Sequence, residues 1–243
     1  MKNIIITILV YIMSLSAYCQ DITIVTEDFP PYNYQENGNI KGISSEVVLA
    51  VLKEVNIEAK IDEYPWARAY MLATTQKNHL IYSIARIPER ESLFQWVGTI
   101  APYKTSLYKL KSRKDIKITS LEDAKNYTIG CSIDDVITTY LKNKGFARLE
   151  VVSLDNQNIH KLLNNRVDLI AFDEASFPYK VKQEGLDISK FERIYRLEEI
   201  SDYLYMAFSK SSDPALVLKF QNGLLAIKKK GIVDKIYKKY FLN

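Results

Sequence analysis

Short apolar runs recur along this chain, and the segments between them are spaced like helices. The runs are DITIVT (21–26), LIYSIA (80–85), YTIGCS (127–132), DLIAFD (168–173) and YLYMAFSK (203–210). Each is too short for a buried helix and rich enough in β-branched or aromatic residues to be a strand. Between them, Val47, Val48, Val51, Leu52 and Val55 share one face at three- and four-residue spacing, with Ser44 as the expected cap. A second helix is expected after Pro65, carrying Trp66, Tyr70 and Ala73 on one side. Ser120 three before Asp123 reads as a capping box, and helices are expected over 134–142, near 176–184 and over 211–231. The last has Pro214 in its first turn and Gly231 past its end. Glu27–Gly42, rich in Pro, Asn and Gly, is expected as a loop. Strands alternating with helices predict an α/β architecture with largely parallel or mixed sheets.

The first residues, MKNIIITILVYIMSLSAYCQ, place a lysine before an apolar stretch from Ile4 to Leu15 and then small or polar residues. That order predicts a secretory signal peptide over 1–19 and a periplasmic protein beginning near Gln20. The apolar stretch falls short of the ~20 residues of a membrane span. Acylation of Cys19 is the alternative, disfavoured by Tyr18 and Ser16 in positions that want a small and an aliphatic residue. One cysteine, Cys131, then remains, which cannot close an internal disulfide, and it is expected as a small buried residue. His79 and His160 lack the paired spacing of a zinc site.

The chain carries a formal charge of +4, and removal of Lys2 leaves +3, with acids and bases interspersed. That balance gives no argument for nucleic acid. The lysines of KKKG (228–231) fit the last turn of a helix, where the dipole favours them.

Five stretches together resemble the family 3 extracellular solute-binding proteins, which include polar amino-acid-binding proteins of importers. FPPYNYQENGNIKGISSEVV resembles the family's aromatic–proline loop, glycine and acidic helix start. ARIPERESLFQW resembles its threonine–proline–glutamate–arginine signature, and YTIGCSIDDVITTYL the strand, turn and helix that open its second lobe. VDLIAFDEA resembles its strand ending in a ligand-facing aspartate, and KKGIVDKIYKKYF its closing helix. The resemblance implies a two-lobed type II periplasmic-binding-protein fold, each lobe a central mixed sheet flanked by helices, with two crossing hinge strands. Crossings near 108 and 207 would give one lobe of 20–107 plus 208–243 and an inserted lobe of 108–207. It implies a monomer that captures a small polar ligand, uses no cofactor, and meets the membrane permease of an ABC importer.

The same resemblance assigns candidate ligand contacts. Arg90 stands at the position that clamps a ligand carboxylate, where a planar fork gives two parallel charge-assisted bonds; its alternative is a salt bridge to Glu89 or Glu91. Arg86 has two open readings, a reach into the cleft or a bond to a local acid. Ala85 stands where the family commonly supplies a hydroxyl, although Ser83 remains on the same strand face. Asp134 and Asp135 replace the usual Gly-Thr at a helix start. Free amides there would bind an anion, whereas an aspartate caps them and repels it; the plain cap role falls to Asp134. Asp173 sits at the amine-binding position. Phe29 and Trp66 are expected against the ligand, Tyr32 in the core, Arg68 on a solvated helix face, and Phe94 and Trp96 in the core.

The expected function is a non-enzymatic carrier for an amino acid or a related zwitterionic or cationic compound, closing about its hinge. Two alternatives stand beside it. One is a cyclohexadienyl-dehydratase-like enzyme, for which Glu174 is the candidate general acid. The other is a ligand sensor, which would need a separate signalling partner.

Overall fold

The structure is a computed structural model that describes residues 22–241. The expectations for the signal peptide, Cys19 and the start at Gln20 fall outside those residues. Two five-stranded sheets organise the chain.

The first sheet runs β4–β1–β5–β12–β6. β1 (Thr23–Thr26) lies parallel to both β4 (Ile61–Glu63) and β5 (His79–Ala85), and β12 (Tyr203–Ser209) runs antiparallel between β5 and β6 (Phe94–Pro102). One face of this sheet is covered by α1 (Ile43–Glu54), α7 (Pro214–Lys229) and α8 (Ile232–Phe241), the other by α2 (Trp66–Thr75). α1 buries Val47, Val48, Val51 and Leu52 as its spacing predicts. Its cap differs from expectation: the helix starts at Ile43, behind Gly42 rather than Ser44. The first amides of α1 are taken instead by the loop before it, Ile43 donating to the Pro31 carbonyl and Ser44 to that of Tyr32, both at 2.9 Å. Gly42 permits this approach. Its φ is 109°, and a Cβ there would stand 2.4 Å from the Tyr32 carbonyl oxygen.

The second sheet runs β11–β7–β10–β8–β9. β7 (Thr105–Leu110) is antiparallel to β10 (Leu169–Asp173) and β11 (Phe191–Arg196), while β8 (Ile129–Ser132) is parallel to β10 and to β9 (Leu149–Val152). α5 (Asn156–Leu163) and α6 (Ser176–Gln183) pack on one face through Ile159, Leu162, Phe177 and Val181. α4 (Val136–Asn143) packs on the other through Val136, Ile137 and Leu141. α3 (Leu121–Ala124) carries the expected capping box between Ser120 and Asp123. The Glu27–Gly42 segment is less open than expected, because β2 (Tyr34–Glu36) and β3 (Asn39–Lys41) pair across an Asn37-Gly38 turn.

The chain leaves the first sheet after Pro102 and enters the second at Thr105; it returns between Arg196 and Tyr203. The passages expected near 108 and 207 lie inside β7 and β12, each a few residues past the crossing. The two crossing segments bond to each other: Tyr103 N–H donates to Asp202 O at 3.0 Å and Leu197 N–H to Thr105 O at 2.9 Å.

Candidate functional site

Open α/β sheets bind ligands beyond the carboxyl ends of their strands, where loops are free to carry polar groups. Here both sheets aim those ends at one another. Glu27 follows β1, Ala85 ends β5, Ser132 ends β8 and Asp173 ends β10. A cleft of about 560 Å³ lies between them, lined by Glu27, Asp28, Glu63, Trp66, Asp135, Asp155 and Lys180 among others. Behind it sit two small cavities of about 30 and 20 Å³ that share Phe29, Tyr103, Asp135 and Asp155.

Of the residues singled out from sequence, Phe29, Trp66, Ser83, Ala85, Arg90 and Asp135 line one of these inner cavities together. Arg90 is 3% exposed, follows Pro88 in a single 3-10 turn, and has no carboxylate in a salt bridge with it among the described residues. Its Nη1 donates to the Ala85 carbonyl at 3.2 Å and its Nη2 to the Asp134 carbonyl of the facing lobe at 2.8 Å. The rings of Trp66 and Tyr70 lie 5.4 and 5.0 Å from the guanidinium carbon, within cation–π range. Trp66 Nε1 donates to the same Asp134 carbonyl at 2.9 Å.

The helix start at 134–136 differs from expectation. The cap is Asp135, whose carboxylate accepts from Ile137 N–H at 2.7 Å. Asp134 is exposed, with a left-handed φ of 56°, a turn that delivers its carbonyl across the cleft while its side chain stays at the surface. Ser83 differs too. It is the extra residue of a β-bulge opposite Tyr205–Met206, with φ 61°, and its hydroxyl donates to Asn33 Oδ1. Arg86 resolves to the local acid. It holds Glu91 through Nε and Nη2 at 2.6 and 3.0 Å and rests over Trp96, away from the cavities.

Asp173 is 3% exposed and fully engaged. It accepts from Ala175 and Ser176 N–H at the start of α6, from Lys104 N–H, and lies 3.1 Å from the Tyr32 hydroxyl of the facing lobe. Burial pushes its carboxyl up to about 7 against those bonds. Tyr32 is 1% exposed, in the core as expected, with its hydroxyl as an interlobe link.

Three groups were missed from sequence. Glu27, Asp155 and Tyr103 line the inner cavities; their common signal is position just past a strand, at a carboxyl edge or at the crossing. Burial raises all three titrations, Glu27 well above the usual carboxylate range. Asp135 is pushed up to about 6 by burial and by the nearby Asp155. The Glu27 carboxylate has no hydrogen-bond or ion-pair partner among the described residues.

Glu174 does not fit a proton donor. Arg196, Ser106 and Arg193 hydrogen-bond both its oxygens at 2.6–2.9 Å and, against the cost of burial, hold its carboxyl down at about 2. It is ionised at any pH where the protein would work.

The comparisons agree with this geometry. A model of the bacterial extracellular solute-binding proteins, family 3, matches residues 22–243. The chain is 23% identical over 224 residues to an arginine-binding extracellular protein of Bacillus subtilis (strain 168), covering 88% of this chain and 83% of that relative. It is 24% identical over 225 residues to a probable histidine-binding protein of Neisseria gonorrhoeae, covering 88% and 80%. Among solved structures, an ancestral arginine-binding protein bound to arginine superposes with a TM-score of 0.77 at 21% identity, covering 90% of this chain and 97% of that one. A histidine kinase sensor domain similar to periplasmic binding proteins superposes with a TM-score of 0.80 at 16% identity, covering 91% and 96%. A match over nearly the whole chain, two lobes of this topology and a polar cleft between them place the protein: it belongs to the bacterial extracellular solute-binding proteins of family 3.

Proposed function

We propose that this protein is an exported, monomeric carrier that closes its two lobes on a small polar solute bearing a positive charge, and delivers it to the permease of an ABC importer. The observation that carries the charge is the wall of the inner cavities, where Glu27, Asp135 and Asp155 face a single guanidinium. Carboxylates withdrawn from water regain stability when a cation returns to them. Trp66 and Phe29 would supply flat apolar faces beside that cation. Relatives named for arginine and histidine binding fit the same sign of charge. Bridging contacts from both lobes give a ligand the means to select the closed state.

The reading as a dehydratase loses its proton donor at Glu174, which two arginines keep ionised. The experiment is a thermal-shift and calorimetry panel on the purified protein with L-arginine, L-lysine, their amine analogues, L-glutamate and a neutral sugar. Saturable stabilisation by cations without turnover is the expected result. Binding of L-glutamate or the sugar in place of any cation would overturn it.

A further inference from the structure

We propose that the solute held between the lobes is an aliphatic amine or guanidine with at least two cationic nitrogens and no carboxylate. This narrows the functional reading above and rests on it. Unspent acceptors outnumber unspent donors around the inner cavities.

The donors are few. Of the five N–H groups of Arg90, one goes to Ala85 O and one to Asp134 O. Trp66 gives its indole N–H to the same Asp134 carbonyl, so a carboxylate that reaches Nη2 must displace an oxygen held by two donors. The Ser83 hydroxyl is taken by Asn33 and the Ser132 hydroxyl by Asp155. The amide of Ile137, which a free helix start would offer to an anion, is taken by Asp135. Tyr103, the remaining polar side chain beside the carboxylates, has a hydroxyl that accepts from an ammonium as well as it donates.

The acceptors are not spent. A carboxylate offers about four lone-pair sites. Asp135 and Asp155 each fill one with a protein hydrogen bond, and Glu27 fills none among the described residues. A ligand rich in N–H groups completes these sites, whereas a carboxylate would add a further acceptor beside them and no donor. The shape extends the argument. The outer cleft shares Glu27, Trp66, Asp135 and Asp155 with the inner cavity, then continues past Glu63 and past Lys180, whose ammonium is held by Asp28. Glu63 has an oxygen out of contact with water and without a hydrogen-bond partner. A second cationic nitrogen several bonds from the first would lie along that continuation.

The experiment compares matched pairs by calorimetry on the full mature protein: agmatine against L-arginine, and cadaverine against L-lysine, with spermidine as a longer probe. The expected result is at least tenfold tighter binding of each decarboxylated member, about 1.4 kcal/mol. Equal or tighter binding of the amino acids overturns this inference and leaves the cationic carrier reading intact. Binding of neither member of any pair overturns both. Glu27→Gln removes a carboxylate that makes no hydrogen bond or ion pair among the described residues, so it is expected to fold and to lose at least tenfold in amine affinity. Unchanged affinity in that folded variant overturns the inference as well.

Discussion

Arg90 in the first lobe and Asp134 in the second are joined by a charge-assisted hydrogen bond of 2.8 Å from Nη2 to the main-chain carbonyl. A side chain at position 134 is irrelevant to this bond; what matters is the left-handed backbone that turns the oxygen inward. Trp66 Nε1 shares the same oxygen. Trp66→Phe keeps a ring beside the guanidinium and loses only the N–H, so ~1 kcal/mol and a few-fold in ligand affinity are expected to go. Arg90→Ala loses the charged bond and the stacked guanidinium, so ~10- to 100-fold is expected. Asp134→Asn should stay within about twofold of the parent, because it keeps both the turn and the carbonyl. Calorimetry on the three variants tests the ordering, and a large loss in Asp134→Asn would refute the main-chain role.

Glu174 joins three strands of the second sheet, taking Ser106 from β7 and Arg193 and Arg196 from β11. Its arginine partners are part-exposed, which limits what the pair can contribute. Glu174→Gln is expected to cost ~1–2 kcal/mol and lower the melting temperature by ~2–6 °C. Ligand affinity should stay within about twofold, because the residue lines neither the cleft nor the two inner cavities. A general acid would behave oppositely, with stability kept and turnover lost.

The strands and helices that buried one clear face were legible in the sequence: α1, α7, β5 and β10 lie within three residues of where their spacing puts them. The Asn37-Gly38 pair was an available signal for the β2–β3 hairpin, because both residues adopt the left-handed φ of a two-residue hairpin turn. The α1 start was not legible. Ser44 looked like a cap, but a loop carbonyl can replace a side chain wherever a glycine lets it approach. At the site, strand alternation put Ser83 and Ala85 on one face and the resemblance supplied Arg90; all three line one cavity, but the direction of the hydroxyl was not legible. The bulge at Ser83 sends it to Asn33, which no spacing rule contains. The carboxylates of Glu27 and Asp155 could have been found by taking every residue just past a strand's carboxyl end. That Glu27 has no hydrogen-bond or ion-pair partner among the described residues could not, because that depends on how two lobes meet.

Gly42 should be the least replaceable glycine before the cleft. Its φ of 109° is unfavourable for any side chain, and a Cβ would meet the Tyr32 carbonyl at 2.4 Å. Gly42→Ala is expected to cost ~2 kcal/mol or more and lower the melting temperature by ~4 °C or more. It should also weaken ligand binding, since it displaces the residue whose hydroxyl reaches Asp173. Gly38→Ala is the control: φ is 75° with nothing within 4 Å of the added carbon, so ~1 kcal/mol and unchanged affinity are expected. Equal losses in the two variants would show that the close approach at Gly42 carries no weight.

Stability and ligand affinity are expected to move in opposite directions with pH. Burial raises the carboxyls of Asp173 and Asp135 to about 7 and about 6 in the folded protein, against ~3.9 when unfolded. Between those values the folded state binds more protons than the unfolded one, so stability falls as pH rises from ~4 to ~7 and then levels. The loss should be on the order of a few kcal/mol, seen as a melting temperature several degrees higher at pH 5 than at pH 7.5. Glu174 acts the other way only below its unfolded range near ~4.3, where protonation starts to release its arginines. A cationic ligand prefers Asp135 ionised, so its affinity should rise over the same interval, by up to ~10-fold from pH 5 to pH 7, with protons released on binding. Calorimetry in buffers of different ionisation enthalpy counts those protons directly. Asp173→Asn should flatten the stability profile, and Asp135→Asn, which keeps a capping side chain, should flatten the affinity profile. If affinity instead falls as pH rises, the ligand is not a cation seeking these carboxylates.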